Sequence, residues 1–283
     1  MSERTRDDCQ LLTRPVSRRG ALAILGGLGF VVAGCSSGDD SDGSTATTNG
    51  SSSTSTTSGA TTTTGGTTAA VTTCSSIPEE TAGPYPGDGS NGPDVLAENG
   101  VVRKDIRASF DGKTGTATGV PYTIQFTVVN IDDGCKPLSG GAVYVWHADR
   151  GGEYSMYGGA SSANYLRGVQ QVDANGNVSF TSIFPSCYAG RWPHVHFEVY
   201  PSVSDATNGR NKLATSQIAL PKDVCDAVYA TAGYEQSVSN LSRVSLDSDM
   251  VFRDGVSLQT PSMTGNAANG YVSSLVVGVR GAV

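Results

Sequence analysis

Residues 194–200, HVHFEVY, decide how the chain is read, because they alternate two kinds of side chain with a period of two. In an extended strand successive side chains project to opposite faces. Val195, Phe197 and Val199 therefore share one apolar face, and His194, His196, Glu198 and Tyr200 share the other. A strand that is apolar on one side and carries chemistry on the other belongs in a layered β structure. The neighbouring sequence agrees. YTIQFTVVN (122–130), GAVYVWHA (141–148), NVSFTSIF (177–184), LATSQIAL (213–220) and GYVSSLVVGV (270–279) are short runs rich in β-branched and aromatic residues, separated by turn sequences such as IDDG, DANGN and ATNG. One helix is expected over residues 221–232, with Pro221 in its first turn and Val224, Ala227 and Val228 as its apolar stripe. The segment NYLRGVQQVDANGNVSF is expected to form a loop and a hairpin. The fold class expected is mostly β, an antiparallel sandwich with few short helices.

The region before residue 74 has a different composition. Arg18 and Arg19 precede an uncharged, small and apolar stretch from Gly20 to Gly34, too short to span a bilayer and suited to an export signal. Ala33 and Gly34 before Cys35 resemble a lipobox, which makes Cys35 the expected site of lipidation and the membrane contact a lipid anchor only; an ordinary cleaved secretion signal is the alternative. Of the 38 residues from Ser36 to Thr73, 29 are Ser, Thr or Gly, a composition that cannot bury enough apolar surface to offset chain entropy. The expected organisation is a twin-arginine, lipoprotein-type signal over 1–34, a tether over 35–73 and a folded domain over 74–283, exported and held at the cell surface.

The full chain carries a formal charge of −7, and without residues 1–34 it retains 14 Lys and Arg against 23 Asp and Glu, or −9. An acidic domain without a basic cluster excludes nucleic acid as an expected partner. Beyond Cys35 there remain Cys74, Cys135, Cys187 and Cys225, none in CxxC spacing, and an even number in an exported domain points to two disulfides rather than a metal cage.

Three histidines occur in the whole chain, and two of them are His194 and His196. Their i, i+2 spacing lets both imidazoles reach one point, although HxH alone equally describes two structural histidines. Tyr188 and Arg191 stand in the turn that leads into the strand. Upstream, VWHADRGGEYSMY turns through Gly151 and Gly152 and carries Tyr154 to the sheet rim. His147 is expected to pack or to make a hydrogen bond rather than to bind metal. Asp149 and Glu153 leave a site of two histidines and one carboxylate as a competing constellation.

The motifs WHADRGGEYS, YLRGVQQVDANGNVSFTSIFP and CYAGRWPHVHFEV, with IPEETAGPYPG (77–87) and GCKPLSGGAVYVW, resemble in order the signatures of the intradiol ring-cleavage dioxygenases, the catechol and protocatechuate 3,4-dioxygenase family. Ser186 and Cys187 depart from the family pattern, which has Gly and a bulky residue before the tyrosine. The resemblance implies a non-haem Fe(III) held by Tyr154, Tyr188, His194 and His196, with Tyr188 displaced when a catechol binds. It implies that Arg191 stabilises charge on the substrate ring, that Gln217 lies beside Arg191, and that Pro84 and Tyr85 border the substrate. The activity implied is insertion of both atoms of O2 into a catechol, with cleavage between the hydroxylated carbons to a cis,cis-muconate-type product. A non-catalytic cell-surface binding module is the alternative. With Cys187 beside a ligand and Cys74 just before the TAGPY segment, the disulfides expected are Cys74–Cys187 and Cys135–Cys225.

Overall fold

A computed structural model describes residues 74–281, and the expected signal, tether and Cys35 lie outside the described residues. Among the described residues nine strands run in chain order: β1 (Pro121–Asn130), β2 (Lys136–Pro137), β3 (Ala142–Trp146), β4 (Arg167–Gln171), β5 (Asn177–Ile183), β6 (His194–Tyr200), β7 (Ala214–Ala219), β8 (Ser262–Asn266) and β9 (Gly270–Val279). Helices α1 (Lys222–Tyr229) and α2 (Glu235–Leu241) fall between β7 and β8. One sheet has the order β2-β1-β9-β8, with β5 also on β1, and the other has the order β4-β3-β6-β7. The expected sandwich is present. Its pairing is antiparallel except for β1 and β9, which run parallel in register from Tyr122↔Tyr271 to Asn130↔Val279.

The period of two explains which side chains meet. On β1, Tyr122, Ile124, Phe126 and Val128 are buried while Pro121 and Gln125 are exposed, the pattern of a sheet wetted on one side. Val143 and Val145 of β3 and Val195, Phe197 and Val199 of β6 face them, with the Phe126 and Phe197 rings 4.9 Å apart. Full burial of such side chains contributes about 1.5–3 kcal/mol each. All seven residues of β6 are buried, so its histidine face is covered as well. The cover is the chain from Ile77 to Phe110, whose Val95, Leu96 and Val101 pack with Tyr144, Trp146 and Tyr200 in a second apolar cluster.

Three expectations change. DANG is not a β4–β5 hairpin turn: β4 pairs with β3 and β5 with β1, so this turn carries the chain from one sheet to the other. The second helix, α2, and the strands β2 and β8 are additions to the expected elements. The disulfides Cys74–Cys187 and Cys135–Cys225 are not formed; the bond joins Cys74 to Cys135, and Cys187 and Cys225 are buried free thiols. The reason is topological. Ile77 N–H donates to the Gly278 carbonyl, which brings Cys74 to the end of the first sheet where β1 finishes, and the turn after β1 carries Cys135. Cys187 belongs instead to the core beside Trp192 and Cys225.

The bond spans 61 residues of sequence, for which loop-closure entropy allows about 4 kcal/mol of stabilisation. Cys135→Ser is expected to lower the thermal midpoint of the full chain accordingly. Non-reducing peptide mapping should recover a Cys74–Cys135 linked peptide with Cys187 and Cys225 alkylated; a linked Cys187 peptide would contradict the pairing.

Candidate metal centre

β6 brings His194 and His196 to one face, and two loops bring the tyrosines. Tyr154 sits in the turn after β3, where Asp149 Oδ1 accepts the N–H groups of Gly151 and Glu153 and fixes its path. Tyr188 sits between β5 and β6. Its loop is held by α2: Ser237 Oγ accepts the Cys187 N–H and Asn240 donates to the Cys187 carbonyl.

Four donor atoms converge there. Nε2 of His194 lies 3.1 Å from Nε2 of His196, 3.2 Å from Tyr188 Oη and 3.4 Å from Tyr154 Oη, and the two phenolic oxygens are 3.4 Å apart. Donors so spaced can each lie about 2 Å from a shared point, the bond length of a transition-metal ion to imidazole nitrogen or to oxygen. His194 Nδ1–H donates to the Trp192 carbonyl, so its Nε2 presents a lone pair to that point. His196 is stacked on Trp146 with ring centroids 4.8 Å apart, and its buried Nδ1 has no hydrogen-bond partner.

The surroundings favour neutral groups. Burial lowers His194 to about 3, helped by the positive charge of Arg191, and burial and then His194 lower His196 well below the ordinary value. Burial followed by the neighbouring Tyr188 raises Tyr154 well above a normal phenol. Burial likewise raises Tyr188, against the opposing influences of its Tyr154 hydrogen bond and Arg191. Neutral imidazoles are metal-ready, and the phenols would ionise only beside a strong positive charge. The set of two nitrogens and two phenolic oxygens fits a hard, high-valent cation. Among the described residues no group of three or more His, Cys, Asp and Glu gathers as a cage, so the two-histidine, one-carboxylate alternative lacks its carboxylate.

Arg191 lies in the turn that joins Tyr188 to His194. Its Nε donates to Asp249 at 2.9 Å and its Nη2 to Gln217 Oε1 at 2.7 Å, while Gln217 Nε2 donates to the Thr81 carbonyl. Burial pushes the Asp249 carboxyl up, but the Trp192 and Val251 N–H groups and Arg191 outweigh it and hold the group below its ordinary range. Pro84 and Tyr85 lie on the chain segment over the cluster, with the Tyr85 ring 5.1 Å from that of Tyr154. His147 is elsewhere engaged, donating from Nδ1 to the Ala148 carbonyl and accepting from Ser182 at Nε2.

Sequence reasoning missed two supports. Arg167 is fully buried and spreads its donors over Tyr85 O, Pro86 O, Tyr144 Oη, Ser155 Oγ and Ser155 O, clamping the covering segment to the Tyr154 loop. Its signal is the LRG motif itself, an arginine set between Leu166 and Gly168. Asp249 is the other, and the acid-rich SLDSDM carried no mark of it.

Gly83 of the covering segment lies against the His196 ring. Its φ is +69°, and a Cβ there would stand 3.3 Å from His196 Cε1. Gly83→Ala pays a left-handed backbone penalty of about 1–2 kcal/mol and presses on a donor ring. It is expected to lower the thermal midpoint and weaken metal retention together; a variant with unchanged midpoint and metal content would show that this contact is loose.

Residues 91–202, which include Tyr154, Tyr188, Arg191 and both histidines, match the family model described as Dioxygenase. A 90-residue stretch is 41% identical to catechol 1,2-dioxygenase 2 of Acinetobacter lwoffii, covering 32% of this chain; the match spans about a third (31%) of that relative's length. An intradiol ring-cleavage dioxygenase from Tetranychus urticae superposes with a TM-score of 0.56 at 22% identity, over 73% of this chain and 95% of its own, which establishes the shared fold. Sequence and architecture thus point the same way: residues 91–202 match the Dioxygenase family model, and the fold is the one seen in an intradiol ring-cleavage dioxygenase.

Proposed function

We propose that the chain is a non-haem Fe(III) dioxygenase that cleaves a catechol between its two hydroxylated carbons. The observation that carries this is the convergence of Tyr154, Tyr188, His194 and His196 on one point. These four side chains would hold the ion. Ferric iron held there would supply an electron-withdrawing Lewis acid that makes a catechol ring reactive toward O2.

The protein's own groups have separate tasks. The imidazoles stay neutral and donate through Nε2, with His194 fixed in that tautomer by the Trp192 carbonyl. Tyr188 is the half-buried member of the four, at the rim, and so is the one positioned to leave. Its phenolate oxygen would take up one catechol proton, supplying the base at the place where it is needed. Arg191, aimed by Asp249 and Gln217, would face the negative charge that develops on the ring. The segment from Thr81 to Tyr85 covers the site and limits water. In the net reaction the ring carbon–carbon bond breaks and both atoms of O2 enter the two new carboxylates. Outside the cytoplasm is the proposed setting, which the Cys74–Cys135 disulfide supports.

Oxygen uptake by the iron-loaded full chain against catechol, hydroxyquinol, protocatechuate and methoxylated catechols tests the reading. Stoichiometric uptake with at least one of them, by a reddish-brown protein, is expected. A colourless protein that consumes no oxygen with any would favour the binding-module alternative.

A further inference from the structure

The wall beside Arg191 carries a carboxylate that the proposed reaction does not use. Glu80 is tied to the site on two sides. Its N–H donates to the Thr215 carbonyl on β7, two residues from Gln217, and its Oε1 accepts from Gln259 Nε2 at 3.2 Å. That same Gln259 nitrogen lies 3.3 Å from the Gln217 carbonyl. Three residues further along, Gly83 lies over the His196 ring. An extended chain covers at most about 3.6 Å per residue, so the Glu80 and Gly83 Cα atoms are within about 11 Å. Glu80 thus stands on the same wall as Gln217 and Arg191, within the field of the site.

The charges on that wall do not balance. Burial raises the Glu80 carboxyl; among its charged neighbours, Asp254 and Asp249 raise it further and Arg191 lowers it. The Glu80 carboxyl therefore feels two other carboxylates, Asp254 and Asp249, against the single cation Arg191. Arg191 is already engaged by the buried Asp249 and by Gln217. The other arginine that influences Tyr154, Arg167, is buried and committed to Tyr85, Pro86, Tyr144 and Ser155. Arg191 is thus the one cation left to face the ring, and Tyr85 adds an aromatic surface beside it, packed between Tyr154 and Tyr157 at 5.1 and 4.9 Å.

We infer that Glu80 is a specificity-determining residue that turns away catechols bearing a ring carboxylate, leaving uncharged, apolar-substituted catechols as the substrate class. This rests on the reading of the site as a ferric catechol site. Discrimination here works by repulsion, an anion placed where a carboxylated ligand would bring a second one.

Two probes, 4-methylcatechol and 3,4-dihydroxybenzoate, are titrated anaerobically into iron-loaded full-length protein, and binding is followed by the change in its visible spectrum, with no turnover. The wild type is expected to bind 4-methylcatechol at least about tenfold more tightly, and Glu80→Lys to lose or reverse that preference while Glu80→Gln narrows it. Thermal midpoints of the variants within a few degrees of wild type establish that they fold. Equal affinity of the wild type for both probes, or a preference unmoved in Glu80→Lys, overturns the assignment of Glu80 while the colour and the 4-methylcatechol response keep the ferric site intact. Failure of the ferric reading looks different: no visible band and no spectral response to either probe, which removes the inference with it.

Discussion

Tyr154→Phe protein is expected to fold like the wild type and to lose most of its iron and its colour. The substitution deletes one oxygen and keeps the ring that packs with Tyr85 at 5.1 Å and with the apolar cluster around Trp146. The hydrogen-bond neighbours of that oxygen are other members of the donor set, Tyr188 and His194, so no separate network is broken. Loss of an outer-shell partner alone costs about 10–100-fold in metal affinity, and loss of a donor should cost more than about 100-fold. Iron content after gel filtration, read beside the metal-free thermal midpoint, checks it. His196→Ala should lose iron too, but it also leaves a hole between Trp146 and Gly83, so its stability falls as well. Full iron occupancy in Tyr154→Phe would remove Tyr154 from the site.

The second large effect is at Arg191. Loss of a donor aimed at developing charge costs about 100- to 1000-fold in kcat, so Arg191→Ala should stay coloured and bind catechol yet turn over slowly. The structure adds a complication. Asp249 is fully buried, and its Arg191 partner would be gone, which by itself costs about 3–5 kcal/mol of stability. The double variant Arg191→Ala/Asp249→Asn removes both charges and should recover much of the stability while remaining slow. If the double variant regained turnover along with stability, Arg191 would be a structural ion-pair partner and not a stabiliser of the reaction.

How far the sequence reached can be followed through β6. HVHFEVY was legible because strand geometry alone sorts its side chains into two faces, and both the sandwich core and the histidine pair follow. The tyrosines came from motif resemblance, and the structure brings all four donors together. What failed depends on partners far apart in sequence. DANG has the chemistry of a hairpin turn, and nothing local to it says that β4 and β5 belong to different sheets. Four cysteines permit three pairings, and the choice was made by the covering segment starting at the far end of β9. α2 is seven residues of mixed polarity, too short to show a period, yet Ser237 and Asn240 on it hold the Tyr188 loop. Asp249 reaches Arg191 across 58 residues, a pairing that only the fold creates.

The measurement that bears most directly on the central claim is product analysis under labelled oxygen. Iron-loaded full-length protein, given an accepted catechol under 18O2, is expected to release a ring-opened cis,cis-muconate-type dicarboxylate carrying both labelled atoms, one in each new carboxylate. A ring-opened aldehyde acid, a product with the ring intact, or a dicarboxylate without label from O2 would contradict cleavage between the hydroxylated carbons at the Tyr154, Tyr188, His194 and His196 site.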